Sequence, residues 1–323
     1  MVIIDNVLKL VELGDLPRMN DEGKLVIPEG VTEIGDDAIT IPQVRYWVKS
    51  VVIPDSVKVI GARAFCECTH LKEVDLGHGV EVIKLAAFYA CIKLSSIVLP
   101  DSLKEIGDSA FRNTGLTSII IPDSVEEVGT SAFASNGYLT SAVIGKNITQ
   151  LHAGMFSSCF NLTSVTFNGN VTCIRQDAFY DCIKLFELAL PDSLVYFGYG
   201  ALDMTPWASV RKNYKAFWIT PNGNLICRKK HYAVGKKSSV RGELILCNNG
   251  IHYCTNLFEI FNYYYGEYGK DFVIAECEVS DEKKHDWQCS KKCARWIIPK
   301  RILTREEVIK ILNNGIKKFS MTE

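Results

Sequence analysis

The residues best equipped for chemistry lie in the last third of the chain. Cys247, His252 and Cys254 fall within eight residues, and Cys289 and Cys293 follow downstream. Thiolate and imidazole groups are the ligands of a tetrahedral zinc site, and these five residues could supply its four positions. Their spacing matches no zinc finger or ribbon, so packed cysteines with a hydrogen-bonded histidine are the plainer expectation. Zinc is the one candidate cofactor, and none is otherwise expected. Glu276 and Glu278 stand two apart in a segment, Phe272–Val279, that reads as a strand. Alternation there puts both carboxylates on one face, where acid–base work becomes possible if His252 is brought beside them. A Cys254–His252 nucleophile pair lacks an evident third group to orient it.

Basic residues cluster at Arg228-Lys229-Lys230-His231, Lys236-Lys237, Lys283-Lys284 and Lys291-Lys292, with acidic residues interspersed. The net charge is −1 over 323 residues. That balance speaks against a polybasic nucleic-acid binder and for solvated loops, so nucleic acid is not the expected partner. No apolar run is long enough to span a bilayer. Met1-Val2-Ile3-Ile4-Asp5-Asn6 has neither a basic n-region nor a small-residue cleavage site, so a cytoplasmic location with reduced thiols is expected.

These groups need a scaffold, and the scaffold is written in the first two thirds of the chain. Ile121-Pro122-Asp123-Ser124-Val125-Glu126-Glu127-Val128-Gly129-Thr130-Ser131-Ala132-Phe133 recurs about seven times. Its aromatic returns as Phe65, Phe88, Phe111, Phe133, Phe156 and Phe179, then Leu202, at steps of 22 or 23 residues. So strict a period marks a solenoid, in which one unit cannot bury its own core but stacked units can. Within each unit a Leu-x-x-Ile-x-Ile pattern (Leu71/Val74/Leu76, Leu116/Ile119/Ile121 and their equivalents) predicts a short strand. Proline ends the strand at Pro54, Pro100, Pro122 and Pro191. A second apolar pair, such as Val57/Ile60 or Val125/Val128, follows the turn. Cys91, Cys159 and Cys182 occupy one slot of three units as small apolar filler. Residues 1–26 are apolar enough to cap the stack, and the step from Ile39 to Phe65 is longer, carrying Tyr46 and Trp47.

Repeats of the form Ile-Pro-Asp-Ser-Val-x-x-Ile-Gly-x-x-Ala-Phe-x-x-Cys-x-x-Leu-x-x-Ile resemble the BspA-type leucine-rich repeats over residues 27–204. The resemblance implies a curved solenoid that binds other macromolecules. The expected architecture is a leucine-rich repeat β-solenoid with a second, smaller α+β domain over 205–323. On the concave strand face, the outward positions are Ser96/Val98, Ser118/Ile120, Ser141/Val143 and Ser164/Thr166. A hydroxyl column beside an apolar column suits a protein partner. The competing explanation is that β-branched residues simply favour strands.

After Asp203-Met204-Thr205-Pro206-Trp207 the texture changes. Tyr214–Ile219, Leu225–Arg228, Glu243–Cys247, Phe272–Val279 and Ala294–Ile298 read as strands, and Asn256–Tyr265 as a helix or turn. Thr304–Phe319 reads as a capped amphipathic helix, fraying after Gly315. With Tyr214-Lys215-Ala216-Phe217, Tyr232-Ala233-Val234-Gly235-Lys236, Gly242-Glu243-Leu244 and Cys247-x-x-Gly250-x-His252-x-Cys254-x-Asn256 through Tyr263-Tyr264, the segment 214–302 resembles an uncharacterised phage and bacterial domain, which implies a phage gene acting in a host cytoplasm as an anti-defence or host-takeover factor. Gly250-Ile251-His252-Tyr253-Cys254-Thr255-Asn256 also resembles the Gly-x-x-Phe-Thr segment of ADP-ribosyltransferases. That likeness implies a nucleotide-dependent transferase in which one of Glu276 and Glu278 holds a ribose hydroxyl and the other orients a nucleophile. Two expectations follow: a non-catalytic protein-binding solenoid, or a transferase that the solenoid targets.

Overall fold

The computed structural model describes residues 1–12, 14–15, 23–202, 204–205, 214–219, 225–227, 230–239, 251–253, 266–279, 283–285, 292–294 and 296–320. The repeats wind into a β-solenoid whose coils are joined by three parallel ladders. The first consists of Lys24–Val26, Ser50–Ile53 and Glu73–Leu76, resumed by Ser118–Ile120, Ser141–Ile144, Ser164–Phe167 and Glu187–Leu188. Between these two runs, residues 94–99 hold the strand's place without strand pairing, although the Thr117 N–H still donates to the Ser95 carbonyl. The second ladder joins the apolar pairs after each turn in two-residue strands, one run from Glu33–Ile34 to Glu127–Val128 and a second from Gln150–Leu151 to Tyr196–Phe197. The alternation rule overlooks strands this short.

The third ladder lies in the turn that carries the phenylalanine. In each coil the N–H groups two before, at and two after the aromatic donate to the next coil, as Arg63 to Leu85, Phe65 to Ala87 and Glu67 to Tyr89. The two flanking residues take positive φ, for example Ala86 (52°) and Ala90 (58°). Non-glycine residues resist that conformation, so the inter-coil bonds must hold it. Inside, the six phenylalanines stack at centroid separations of 5.1–5.7 Å, and all are fully buried.

The repeated Pro-Asp-Ser turn also works between coils. Asp55 accepts from the His78 N–H at 2.7 Å in the following coil, and Ser56 donates to the Val31 carbonyl at 2.8 Å in the preceding one. Asp123 repeats the first contact with Lys146, and Ser102 and Ser193 repeat the second. The glycine after the second strand answers to crowding. A Cβ on Gly61 would lie 2.5 Å from the Gly35 carbonyl carbon of the coil beneath.

At the N-terminal end, Val2–Ile4 and Val7–Leu10 form an antiparallel hairpin whose second strand joins the second ladder. The long step after Ile39 contains a short helix, α1 (Pro42–Trp47), opened by Pro42 at its first turn. Beyond the solenoid, the expected strands Tyr214–Ile219 and Phe272–Val279 form with those bounds. Leu225–Cys227 forms within the expected Leu225–Arg228, whose last residue lies outside the described residues, and the expected Ala294–Ile298 falls across the strands Lys292–Ala294 and Trp296–Ile302. Tyr214–Ile219, Leu225–Cys227, Phe272–Val279 and Trp296–Ile302 belong to a six-stranded antiparallel sheet with Lys230–Tyr232 and Ser238–Ser239 at its edges. Glu243–Cys247 and Asn256–Tyr265 lie outside the described residues. Helix α2 runs unbroken over Arg305–Ser320. Its start is a capping box: Thr304 Oγ1 accepts from the Glu307 N–H at 3.2 Å, and the Glu307 carboxylate accepts from the Thr304 N–H at 2.8 Å.

This α+β unit closes the C-terminal end of the solenoid. Gly266–Glu267 pairs antiparallel with Tyr196–Phe197, ending the second ladder, and the Tyr268 N–H donates to the Val195 carbonyl. Phe272, Ile274, Leu303, Val308, Ile309 and Leu312 join the same apolar core as the coils.

Candidate interaction surface

In the first ladder Ser118, Ser141 and Ser164 stand side by side in register, as do Ile120, Val143 and Thr166. The residues between them, Ile119, Ala142 and Val165, are buried in the core. The outward columns are therefore set by alternation against a continuous interior. Val98 is 82 % exposed and Ile120 65 %, while Val143 is half-buried. Thr117, Thr140 and Thr163 add a third column, each hydroxyl donating to the carbonyl of the preceding coil. From Ser95–Leu99 through Thr163–Phe167 these segments hold no charged residue, whereas Lys72, Glu73 and Asp75 flank them on one side and Glu187 on the other. Ser96 and Val98 correct one expectation, since they occupy the stretch that lacks strand pairing. Their outward exposure survives because the coils on either side fix the path of the chain.

The cysteine slot is more than filler. The thiols of Cys91, Cys159 and Cys182 donate to the carbonyls of Phe65, Phe133 and Phe156 at 3.1–3.2 Å. Burial pushes the Cys68 and Cys159 thiols up to about 12 and those of Cys91 and Cys182 well above the usual range. In two coils Thr114 and Asn136 take the slot. The Asn136 amide, fully buried, donates to the Phe111 and Phe133 carbonyls and accepts from the Thr114 N–H and hydroxyl. Cys66, Cys68, Cys91, Cys159, Cys173, Cys182 and Cys277 are free thiols.

Of the residues singled out for chemistry, Cys247, Cys254 and Cys289 lie outside the described residues. His252 and Cys293 are direct register partners in a three-stranded antiparallel sheet that also holds Lys284. Among the described residues no cluster of three or more metal-ligating side chains occurs. Glu276 is held by Arg301 at 3.2 Å, and Arg301 also pairs with Glu307 at the start of α2 at 2.5 Å. The register between Phe272–Val279 and its neighbour shifts between Glu276 and Cys277. The simple two-apart relation to Glu278 thus passes through an irregular pairing, and Glu276 has a structural partner that strand alternation could not supply.

The sequence reading missed one grouping. Helix α1 places the Tyr46 ring 4.2 Å from the His70 ring. Beside them a hollow of about 500 Å³ is lined by Arg45, Tyr46, Glu67, Thr69, Ile92 and Asn113, among others. Arg45 is tied to Glu67 at 3.0 Å and to the Ile39 carbonyl. Partial covering of the ring, with the positive charges of Lys93, Lys49 and Lys72, holds His70 below its usual pKa.

Short parallel strands, a core leucine at each turn and a periodic aromatic stack define a leucine-rich solenoid. The chain belongs to the BspA type leucine rich repeat family, whose model matches in six copies over residues 44–162 and 81–207. Residues 212–311 match a Domain of unknown function, DUF7666. Among solved structures, a leucine-rich repeat protein from Bacteroides ovatus is 32 % identical with a TM-score of 0.54, the match covering 60 % of this chain and 51 % of that one. The Treponema pallidum (T. pallidum) leucine rich repeat protein is 32 % identical with a TM-score of 0.41, covering 46 % and 74 %. The chain thus spans about half the length of the Bacteroides relative. No curated protein matches it. Solenoids of this kind generally mediate protein interactions, and no described helix is long and apolar enough to cross a membrane.

Proposed function

We propose that this chain is a non-catalytic interaction protein that binds a protein partner through the outward face of its first ladder. The observation that carries the reading is the uncharged stripe with Val98 and Ile120 in solvent. Strand propensity explains a β-branched residue within a strand, but Val98 lies outside any strand and is still the most exposed apolar residue of the stripe. Interface cores are depleted in charge and hold apolar side chains within a hydrogen-bonding rim, which the serine and threonine columns supply. The α+β unit ends the solenoid, so partner binding is assigned to the strand face and not to the coil ends. The narrower role, a phage-encoded host-takeover or anti-defence factor in a bacterial cytoplasm, is supported by the resemblance of residues 214–302 alone.

The test compares wild-type protein with a Val98→Asp/Ile120→Asp/Val143→Asp variant in affinity capture from a bacterial lysate, followed by reconstitution with the purified captured protein. Binding by wild type and its loss in a variant of unchanged circular dichroism supports the face. Equal binding by both proteins removes the stripe from the site.

A further inference from the structure

We infer that the α1 corner of the solenoid is a binding site for a nucleoside phosphate, with the base against Tyr46 and the phosphate among Lys49, Lys72 and Lys93. Tyr46, on α1, is 67 % exposed, and its ring forms a wall of the hollow described above. The His70 ring lies 4.2 Å from it, tilted, and Thr69 Oγ1 lies 3.2 Å from His70 Nδ1, fixing the imidazole. The hollow offers an apolar side chain, Ile92, with the polar groups of Thr69 and Asn113. A purine or pyrimidine needs this mixture: a π face to stack on, and donors and acceptors for its edge.

The lysines come from successive coils. Lys49 and Lys72 are equivalent positions, joined by the Lys72 N–H to Lys49 carbonyl bond at 2.8 Å, and Lys93 is the counterpart of His70 one coil on. All three are exposed, and all three act on His70. None forms an ion pair among the described residues, whereas Arg45 is neutralised by Glu67. The neighbouring Glu73 stands in the outward strand column. The corner therefore carries a net local positive charge within a chain of net charge −1, and total charge conceals it because each coil contributes one lysine. A free nucleotide and a single strand of nucleic acid present the same chemistry here.

The experiment measures binding of AMP, inorganic phosphate and a fluorescent oligothymidylate to the full chain by dialysis and polarisation, across a salt series. AMP should bind more tightly than phosphate, and Tyr46→Ala should weaken AMP about 5- to 150-fold, the range of one lost stacking contact. Lys49→Gln/Lys72→Gln/Lys93→Gln should weaken every probe and flatten the oligonucleotide's log–log salt dependence by about 2. Oligonucleotide binding tighter than AMP identifies a strand as ligand; equal or weaker binding identifies the free nucleotide. The inference is overturned if wild type binds neither AMP nor the oligonucleotide at low salt, if phosphate binds as well as AMP, or if Tyr46→Ala binds as wild type does. Circular dichroism of both variants, altered only at exposed side chains, reports on their folding.

Discussion

The side-chain amide of Asn313 closes two hydrogen bonds on the backbone of Leu190, accepting from its N–H at 2.7 Å and donating to its carbonyl at 3.0 Å. Leu190 belongs to the last coil, so these are groups that a further coil would have paired. A single asparagine on α2 therefore does for the first ladder what the strand Gly266–Glu267 does for the second. Open coil ends expose a row of unpaired backbone groups that invites edge-to-edge association, and both closures remove it.

Replacing Asn313 by alanine leaves a half-buried N–H and carbonyl without partners, at a cost of about 1–3 kcal/mol. Urea unfolding should show that loss. Amide exchange at Leu190 should accelerate more than at Ile119, and equal acceleration at both would disprove the capping role.

Asn136 tests the buried slot from within. Asn136→Ala removes four hydrogen bonds inside the buried core and should cost about 2–4 kcal/mol. Because four coils place cysteine there, Thr114→Cys/Asn136→Cys should recover most of the stability lost in the alanine variant. A double variant no more stable than Asn136→Ala would mean that the amide network is needed as such.

The thiols divide by burial. Cys68, Cys91, Cys159 and Cys182 are buried, and burial raises the Cys68 and Cys159 thiols to about 12 and those of Cys91 and Cys182 well above the usual range, while Cys66 and Cys173 are partly exposed, their thiols also raised by burial. At pH 8 iodoacetamide should label Cys66 and Cys173 first, and the four slot cysteines only on unfolding, as peptide mass spectrometry would show. Early labelling of Cys91 would contradict the packing of its coil.

The Glu307 carboxylate sits below its ordinary value of 4.5 because it accepts from the Thr304 N–H and from Arg301. A depressed folded-state pKa means that its contribution is complete above pH 4.5 and is lost as pH falls through the lower folded value. The difference in urea midpoint between wild type and Glu307→Gln should therefore be constant from pH 7 to pH 5 and shrink below pH 4.5. A difference unchanged at pH 3 would rule out the ion pair and cap as its source.

The sequence by itself determined the solenoid. A period of 22 or 23 residues, with proline at the strand end and phenylalanine in a fixed slot, admits only stacked coils, because no single unit can bury its own apolar residues. It also marked Ile120 and Val143 as outward, since side chains on a strand alternate whatever the strand pairs with. What it left open depended on contacts between coils and between distant segments. The second ladder is built from two-residue strands that carry no alternation. The thiol-to-carbonyl bonds join residues 26 apart, and the Asn313–Leu190 bond joins residues 123 apart. Alternation offered Glu276 as a candidate carboxylate, but its contact with Arg301, 25 residues on, is set only by the pairing of two strands. The α1 corner was hidden for the same reason: its lysines, His70 and Tyr46 come from successive coils, and only the stacking of those coils makes them neighbours.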